Sequence, residues 1–134
     1  MLRRVEPSKG KALESINLSK EWLEEAEKNA KSKAFRSALS SAYIAMFHSA
    51  RAILFRDGIR EKSHYCVGVY LSDYVERGLL EAEWVSMFDR MRTARHTDQY
   101  SFDLSPTSEE VESAIDTAKS FVARMERLLK ETTR

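Results

Sequence analysis

The sequence predicts an all-α fold, an up-and-down bundle of about five helices. Three observations predict it. Apolar residues recur at spacings of three, four and seven, the signature of helices with one buried face. Four Gly and two Pro in 134 residues leave little material for the turns of a many-stranded β fold. Helix start and stop signals at Ser8, Gly58, Ser63, Gly78 and Thr107 bracket the periodic stretches.

The first helix is expected from about Ser8, a cap after Pro7, to about Ser32, with Leu13, Ile16, Leu23, Ala26 and Ala30 on its apolar face. Its other face (Lys20, Glu21, Glu24, Glu25, Lys28, Lys31) is a solvated run of opposite charges. The second, Ala34 to about Asp57, carries Phe35, Leu39, Tyr43, Met46, Phe47, Ala50, Ile53 and Leu54. Ala38, Ala42 and Ala45 let a neighbour approach closely, and Gly58 ends the helix.

Ser63 caps a third helix, roughly His64 to Arg77, which stops at Gly78. It is apolar nearly all round (Tyr65, Val67, Val69, Tyr70, Leu71, Tyr74, Val75). Such a pattern predicts burial on two sides, in the bundle centre or in a dimer interface. The fourth helix is expected from near Leu80 to about Asp98, followed by a polar-aromatic connection over Gln99 to Ser105. Pro106 forbids simple continuation. Thr107 and Glu110 have capping-box spacing and open the fifth helix, which runs to about Lys130 with Val111, Ala114, Ile115, Ala118, Phe121, Val122, Met125 and Leu128 on one side.

Composition narrows the function classes. Hydrophobic residues at 43% and charged residues at 32% describe a soluble globular chain, read as one domain over residues 1–134. A formal charge of +1 supplies no strong field for nucleic acid, so any such contact is a local patch. The lone Cys66 excludes an intramolecular disulfide and a cysteine-clustered zinc site. No apolar run approaches the ~20 residues of a membrane span, and the N-terminus lacks a signal-peptide core. The chain is therefore expected in a reducing cytoplasm with no membrane partner, no cofactor and no metal.

One residue breaks the pattern. At roughly 100° per residue, Trp84, Phe88, Met91 and Arg95 share one sector of the fourth helix, with Asp98 at its edge. A buried guanidinium is costly unless paired. Arg95 is then a side chain whose stem packs while its head snorkels, or an internal ion pair with Asp98, or a cation lining a phosphate-binding cleft. His96 follows it and shares a face with Arg92, and Tyr100 lies just beyond. A histidine can move a proton near neutral pH, and a tyrosine can donate a proton or accept a nucleotidyl group. His48 and Arg51 lie three apart on the second helix, while Lys62 and His64 open the third. These four read either as packing and first-turn residues or as parts of the same nucleotide or RNA surface.

The run Tyr43-Ile44-Ala45-Met46-Phe47-His48-Ser49-Ala50-Arg51-Ala52, then Gly58-Ile59 and Lys62-Ser63-His64, resembles the HEPN family of prokaryotic helical proteins. The resemblance implies a four- to five-helix bundle that pairs into a homodimer and works with a small nucleotidyltransferase. Ribonuclease members carry an Arg, a polar residue, three variable residues and a closing His; both copies of the motif meet in one cleft of the dimer. In toxin–antitoxin versions the partner can adenylylate a nearby tyrosine. Laid onto this chain, Arg95 takes the arginine position, His96 the polar one and Tyr100 the closing one. Arg90 has an allowed spacing to His96 but lies on the far side of the helix, and Arg92 leaves too few residues between. A tyrosine with a pKa of ~10 is a poor general base at neutral pH. The expected function is thus a dimeric module whose Arg95 cleft binds RNA or a nucleotide. A metal-independent ribonuclease toxin using Arg95, His96 and Tyr100 is the alternative.

Overall fold

The computed structural model describes residues 2–100 and 105–132, the side chains of 97–100 excepted. The order of elements is β1 (Leu2–Arg4), α1 (Lys9–Lys31), α2 (Phe35–Asp57), β2 (Ile59–Glu61), α3 (His64–Glu76), α4 (Ala82–Tyr100) and α5 (Ser108–Glu131). The all-α reading holds, and the helix boundaries follow the local chemistry. Ser8 Oγ accepts from Lys11 N and Ser63 Oγ from Cys66 N, each satisfying a first-turn donor. Thr107 and Glu110 close a reciprocal capping box. Gly58 ends α2 in the left-handed region at φ 72°.

α2 is the axis of the bundle. It packs on α1 most extensively and also touches α3, α4, α5 and β2. Ala38, Ala42, Ala45, Ala50 and Ala52 are completely buried along it, and these small side chains admit close neighbours on several sides. Met46, Ile53 and Leu54 fill the space between. By length and composition α2 is apolar enough to cross a membrane, contrary to the expectation that no stretch is. Most of it is buried inside the bundle, as the core helix of such a fold must be. α5 contributes Val111, Ala118, Phe121, Met125 and Leu128 to the core. Phe88 of α4 stacks on Phe121 of α5 with centroids 5.8 Å apart.

A two-stranded antiparallel sheet lies outside the sequence expectation. Leu2, Arg3 and Arg4 pair with Glu61, Arg60 and Ile59. Strands of three residues carry no readable period, and their pairing spans most of the first half of the chain. Gly58 makes the pairing possible: a Cβ there would fall 2.6 Å from the Val5 carbonyl oxygen.

Three details differ from the pattern reading. Leu13 is 60% exposed, because Ala12 and Ile16, four apart, take the inner stripe of α1. α3 is not buried on two sides within the chain. Cys66, Val67, Leu71 and Tyr74 face inward, whereas Tyr65 is 60% and Val69 44% exposed. α4 begins two residues later than expected and its backbone continues through Gln99 to Tyr100.

Two polar networks, built around the buried Arg124 and Tyr74, tie the helix ends. Arg124 of α5 donates to Glu81, Glu131 and the Leu79 carbonyl, which locks the α3–α4 connection onto α5. At the C-terminus of α2, Asp57 accepts from Tyr70 and Tyr74, while Arg56 donates to Tyr74 and to the Leu129 carbonyl.

Candidate functional site

The site grows from a four-residue spacing on α2. Tyr43, Phe47 and Arg51 fall one turn apart and so line one side of the helix. Ser63 caps α3, which makes His64 its first residue and sets the imidazole against that stripe. The His64 ring stacks on Phe47, with centroids 3.9 Å apart and planes 17° from parallel. Its Nδ1 is 2.8 Å from the Tyr43 hydroxyl. From α4, the Arg95 guanidinium sits over the Tyr43 ring at 5.3 Å, and its Nε lies 3.4 Å from Ser40 Oγ. The half-buried Arg95 therefore packs its charge on the face of a buried aromatic. Asp98, the ion-pair partner weighed from sequence, has its side chain outside the described residues.

The cluster extends in both directions along this surface. Arg51 donates from Nε to Glu61 Oε1 at 3.0 Å and lies 5.7 Å and 4.9 Å from the Phe47 and Phe55 ring centres. Beyond it opens a cleft of about 600 Å³ lined by Lys11, Glu14, His48, Arg51, Phe55 and Glu61 among others. On the other side, the Arg92 guanidinium lies 5.6 Å from the Tyr65 ring centre. Its Nε and Asp89 Oδ1 are 3.9 Å apart, and both atoms are buried without a hydrogen bond among the described residues. Gly68 permits this crowding of α3 on α4, since Asp89 Oδ1 is only 3.0 Å from where a Cβ would stand.

The electrostatics favour neutral histidines among fixed cations. Burial is the main cause that lowers the His64 pKa; Arg95, Arg51 and Arg92 add to it and Glu61 opposes. His48 is lowered by burial and then by Arg51 and His64. Burial drives the Tyr43 phenol well above its ordinary value, although Arg95 and Arg92 pull the other way. Such a surface offers planar guanidinium donors, neutral ring nitrogens and aromatic faces. That combination suits phosphate and nucleobase contacts. Among the described residues no three His, Cys, Asp or Glu side chains gather as a metal site requires.

The sequence-expected residues divide accordingly. Arg95, Arg51 and His64 meet through Tyr43 and Phe47 in one cluster. Arg92 flanks it through Tyr65, and His48 borders it with its ring edge-on to Phe47 at 5.4 Å. His48 Nδ1 is buried with no partner among the described residues. Lys62 is exposed on a shallow rim beside Arg3, Arg60 and Glu61. His96 lies on the exposed face of α4, next in sequence to Arg95. Tyr100 is the last residue of α4, and its side chain lies outside the described residues. Tyr43 and Phe47 were read as core alone. They are core and site together, and their four-residue spacing to Arg51 was the available signal.

The chain matches known proteins along most of its length. The family model described as HEPN domain matches residues 12–128. A Methanocaldococcus jannaschii protein named as a putative toxin is 34% identical over 120 residues, which is 87% of this chain and 87% of that protein. A UPF0332 protein of Thermotoga maritima is 26% identical over 117 residues, 87% of this chain and 89% of its own length.

Proposed function

The chain belongs to the HEPN family, and from that premise we propose that it is a phosphate-recognising module whose Arg95 cleft binds RNA or a nucleotide. One observation carries the reading: the Arg95 guanidinium rests on a buried tyrosine whose hydroxyl reaches His64. An arginine held on an aromatic face is oriented before any ligand arrives, which lowers the ordering cost of binding. Arg51, with Nε on Glu61, keeps the remaining edge of its fork for an acceptor.

The module works as a homodimer, and a small nucleotidyltransferase is its partner. The exposed Tyr65 and Val69 of α3 supply an apolar surface for the second copy. Burying both would bring two Arg95 clusters towards one shared groove. The decisive experiment measures binding of labelled single-stranded RNA and of ATP to the wild type and to Arg95→Ala. Affinity for one of them should fall at least tenfold with the fold intact, and unchanged binding would remove the cleft assignment.

A second reading is a metal-independent ribonuclease toxin, favoured by the name of the Methanocaldococcus jannaschii relative. Here Arg95 steadies the phosphate and His96 moves protons, with Tyr100 in a supporting place. Cleavage of RNA by the purified dimer, abolished in His96→Ala, would establish it. Absence of cleavage by an RNA-binding dimer favours the binding module.

A further inference from the structure

Tyr43 and His64 define a hydrogen bond whose direction can be argued. Tyr43 is completely buried, and its hydroxyl lies 2.8 Å from His64 Nδ1. Among the described residues that hydroxyl has no other hydrogen-bond partner. If Nδ1 carried the proton and donated, the phenolic O–H would be left without an acceptor in a buried place. Leaving a buried donor unsatisfied is the expensive outcome. The phenol must therefore donate, and Nδ1 must accept through its lone pair. A neutral imidazole then bears its proton on Nε2.

The surroundings keep the ring in that neutral form. Among the described residues, Arg95 and Arg92 of α4 and Arg51 of α2 all oppose a positive charge on His64, and only Glu61 of β2 favours one. His64 is also the first residue of α3, where the positive end of the helix dipole acts in the same sense. The Phe47 face, 3.9 Å away, fixes the ring plane. His64 itself is only half buried, and among the described residues Nε2 has no partner.

We propose that Tyr43 is a positioning residue that locks His64 as the neutral Nε2–H tautomer, so that the Tyr43–His64–Arg95 cluster presents a neutral N–H donor together with the Arg95 guanidinium to a phosphate oxygen. The donor half rests on the phosphate-binding reading above; the tautomer half does not. The consequence is chemical: at neutral pH His64 gives a hydrogen bond and cannot accept a proton at Nε2. It strengthens binding and is not the base of a cleavage reaction.

The test uses the full chain labelled with nitrogen-15. Long-range proton–nitrogen spectra at pH 7, with His64 assigned by its loss in His64→Gln, should show a protonated Nε2 and a bare Nδ1 accepting a hydrogen bond. In Tyr43→Phe both nitrogens should move towards the averaged positions of a freely exchanging imidazole, and binding of single-stranded RNA or ATP should weaken several-fold. His64→Gln, which keeps an amide N–H in place of the ring donor, should bind better than His64→Ala. If Tyr43→Phe does not fold, the wild-type spectrum decides the tautomer and the two His64 variants decide the donor role. A protonated Nδ1, an imidazolium at pH 7, or an unchanged spectrum in folded Tyr43→Phe overturns the lock. The expected tautomer in a protein that binds neither RNA nor ATP overturns the donor role and the cleft reading while leaving the lock in place.

Discussion

The Arg95 guanidinium lies 5.3 Å from the centre of the Tyr43 ring, and that ring has no exposure to solvent. A cation is thus seated on the edge of the hydrophobic core, with its Nε 3.4 Å from Ser40 Oγ. The stripe Trp84, Phe88, Met91, Arg95 runs from a half-buried indole through two buried side chains to this charge. α4 therefore serves two ends: one part of the stripe joins the core and the other sets a cation on the Tyr43 ring.

A lysine at the same place separates charge from geometry. Arg95→Lys keeps the positive charge but loses the planar fork that lies flat on an aromatic face and meets phosphate with two bonds. RNA or ATP affinity should fall by about a factor of ten, an intermediate loss of roughly 1.4 kcal/mol. Titration by fluorescence anisotropy measures it. Full retention of affinity in Arg95→Lys would show that charge alone matters.

Phe88 supports the site from beneath. It is completely buried between Phe121, 5.8 Å away, and Tyr43, 5.6 Å away. Phe88→Ala should cost about 3–5 kcal/mol, because a large cavity opens between two aromatic rings that cannot fully collapse into it. Urea unfolding reads the loss. Phe88→Leu, which leaves less empty volume, should cost clearly less.

Two glycines give a matched comparison of strain and crowding. Gly58 and Gly78 have nearly equal positive φ, 72° and 73°. A Cβ at Gly58 would meet the Val5 carbonyl oxygen at 2.6 Å and Pro7 Cγ at 2.8 Å, whereas at Gly78 nothing stands within 4 Å. Gly78→Ala should therefore cost about 1 kcal/mol, the backbone penalty alone. Gly58→Ala should cost more and should expose the Val5 amide, which donates to the Gly58 carbonyl at 2.8 Å. Amide exchange at Val5, compared between the two variants, checks this.

The limits of sequence reading follow the same geometry. The ends of α1, α2, α3 and α5 were legible because Ser8, Gly58, Ser63 and Thr107 each act on backbone atoms only a few residues away. Arg95 was legible because an apolar stripe makes a charge conspicuous. The β1–β2 pairing, the Arg124 network and the Tyr43–His64 contact were not, since each joins residues distant in sequence through contacts that leave no period. Leu13 shows a different limit. A helical spacing fits more than one stripe, and packing against α2 selected Ala12 and Ile16 in its place.

The outward apolar residues of α3 yield a prediction about assembly. Tyr65 at 60% and Val69 at 44% exposure lie four apart on one face. If that face meets a second copy, Val69→Glu should move the protein to monomer on size-exclusion chromatography with light scattering, without loss of helicity. An unchanged dimer would place the interface elsewhere, and a wild-type monomer would remove the dimer from the proposal.

Acid stability should depend on the link between Glu81 and Arg124. The Arg124 guanidinium, nearly buried on α5, donates to both Glu81 oxygens and holds that carboxyl's pKa down to about 2 from an ordinary 4.5. Trp84 adds a further donor to the same carboxylate. The folded pKa lies below the unfolded one, so the unfolded chain binds the proton more readily over this interval. The stabilisation is then complete above pH 4.5 and declines as the pH falls towards 2. Glu81→Gln removes the titrating group, so its deficit relative to the wild type should be constant near neutrality and should shrink across that window. Glu81 is largely exposed, and solvent screening makes the deficit modest. Urea midpoints measured at several pH values for both proteins give the comparison. A gap that widens as acid is added would mean that Arg124, left with Glu131 and the Leu79 carbonyl, and not the Glu81 charge, governs this end of the bundle.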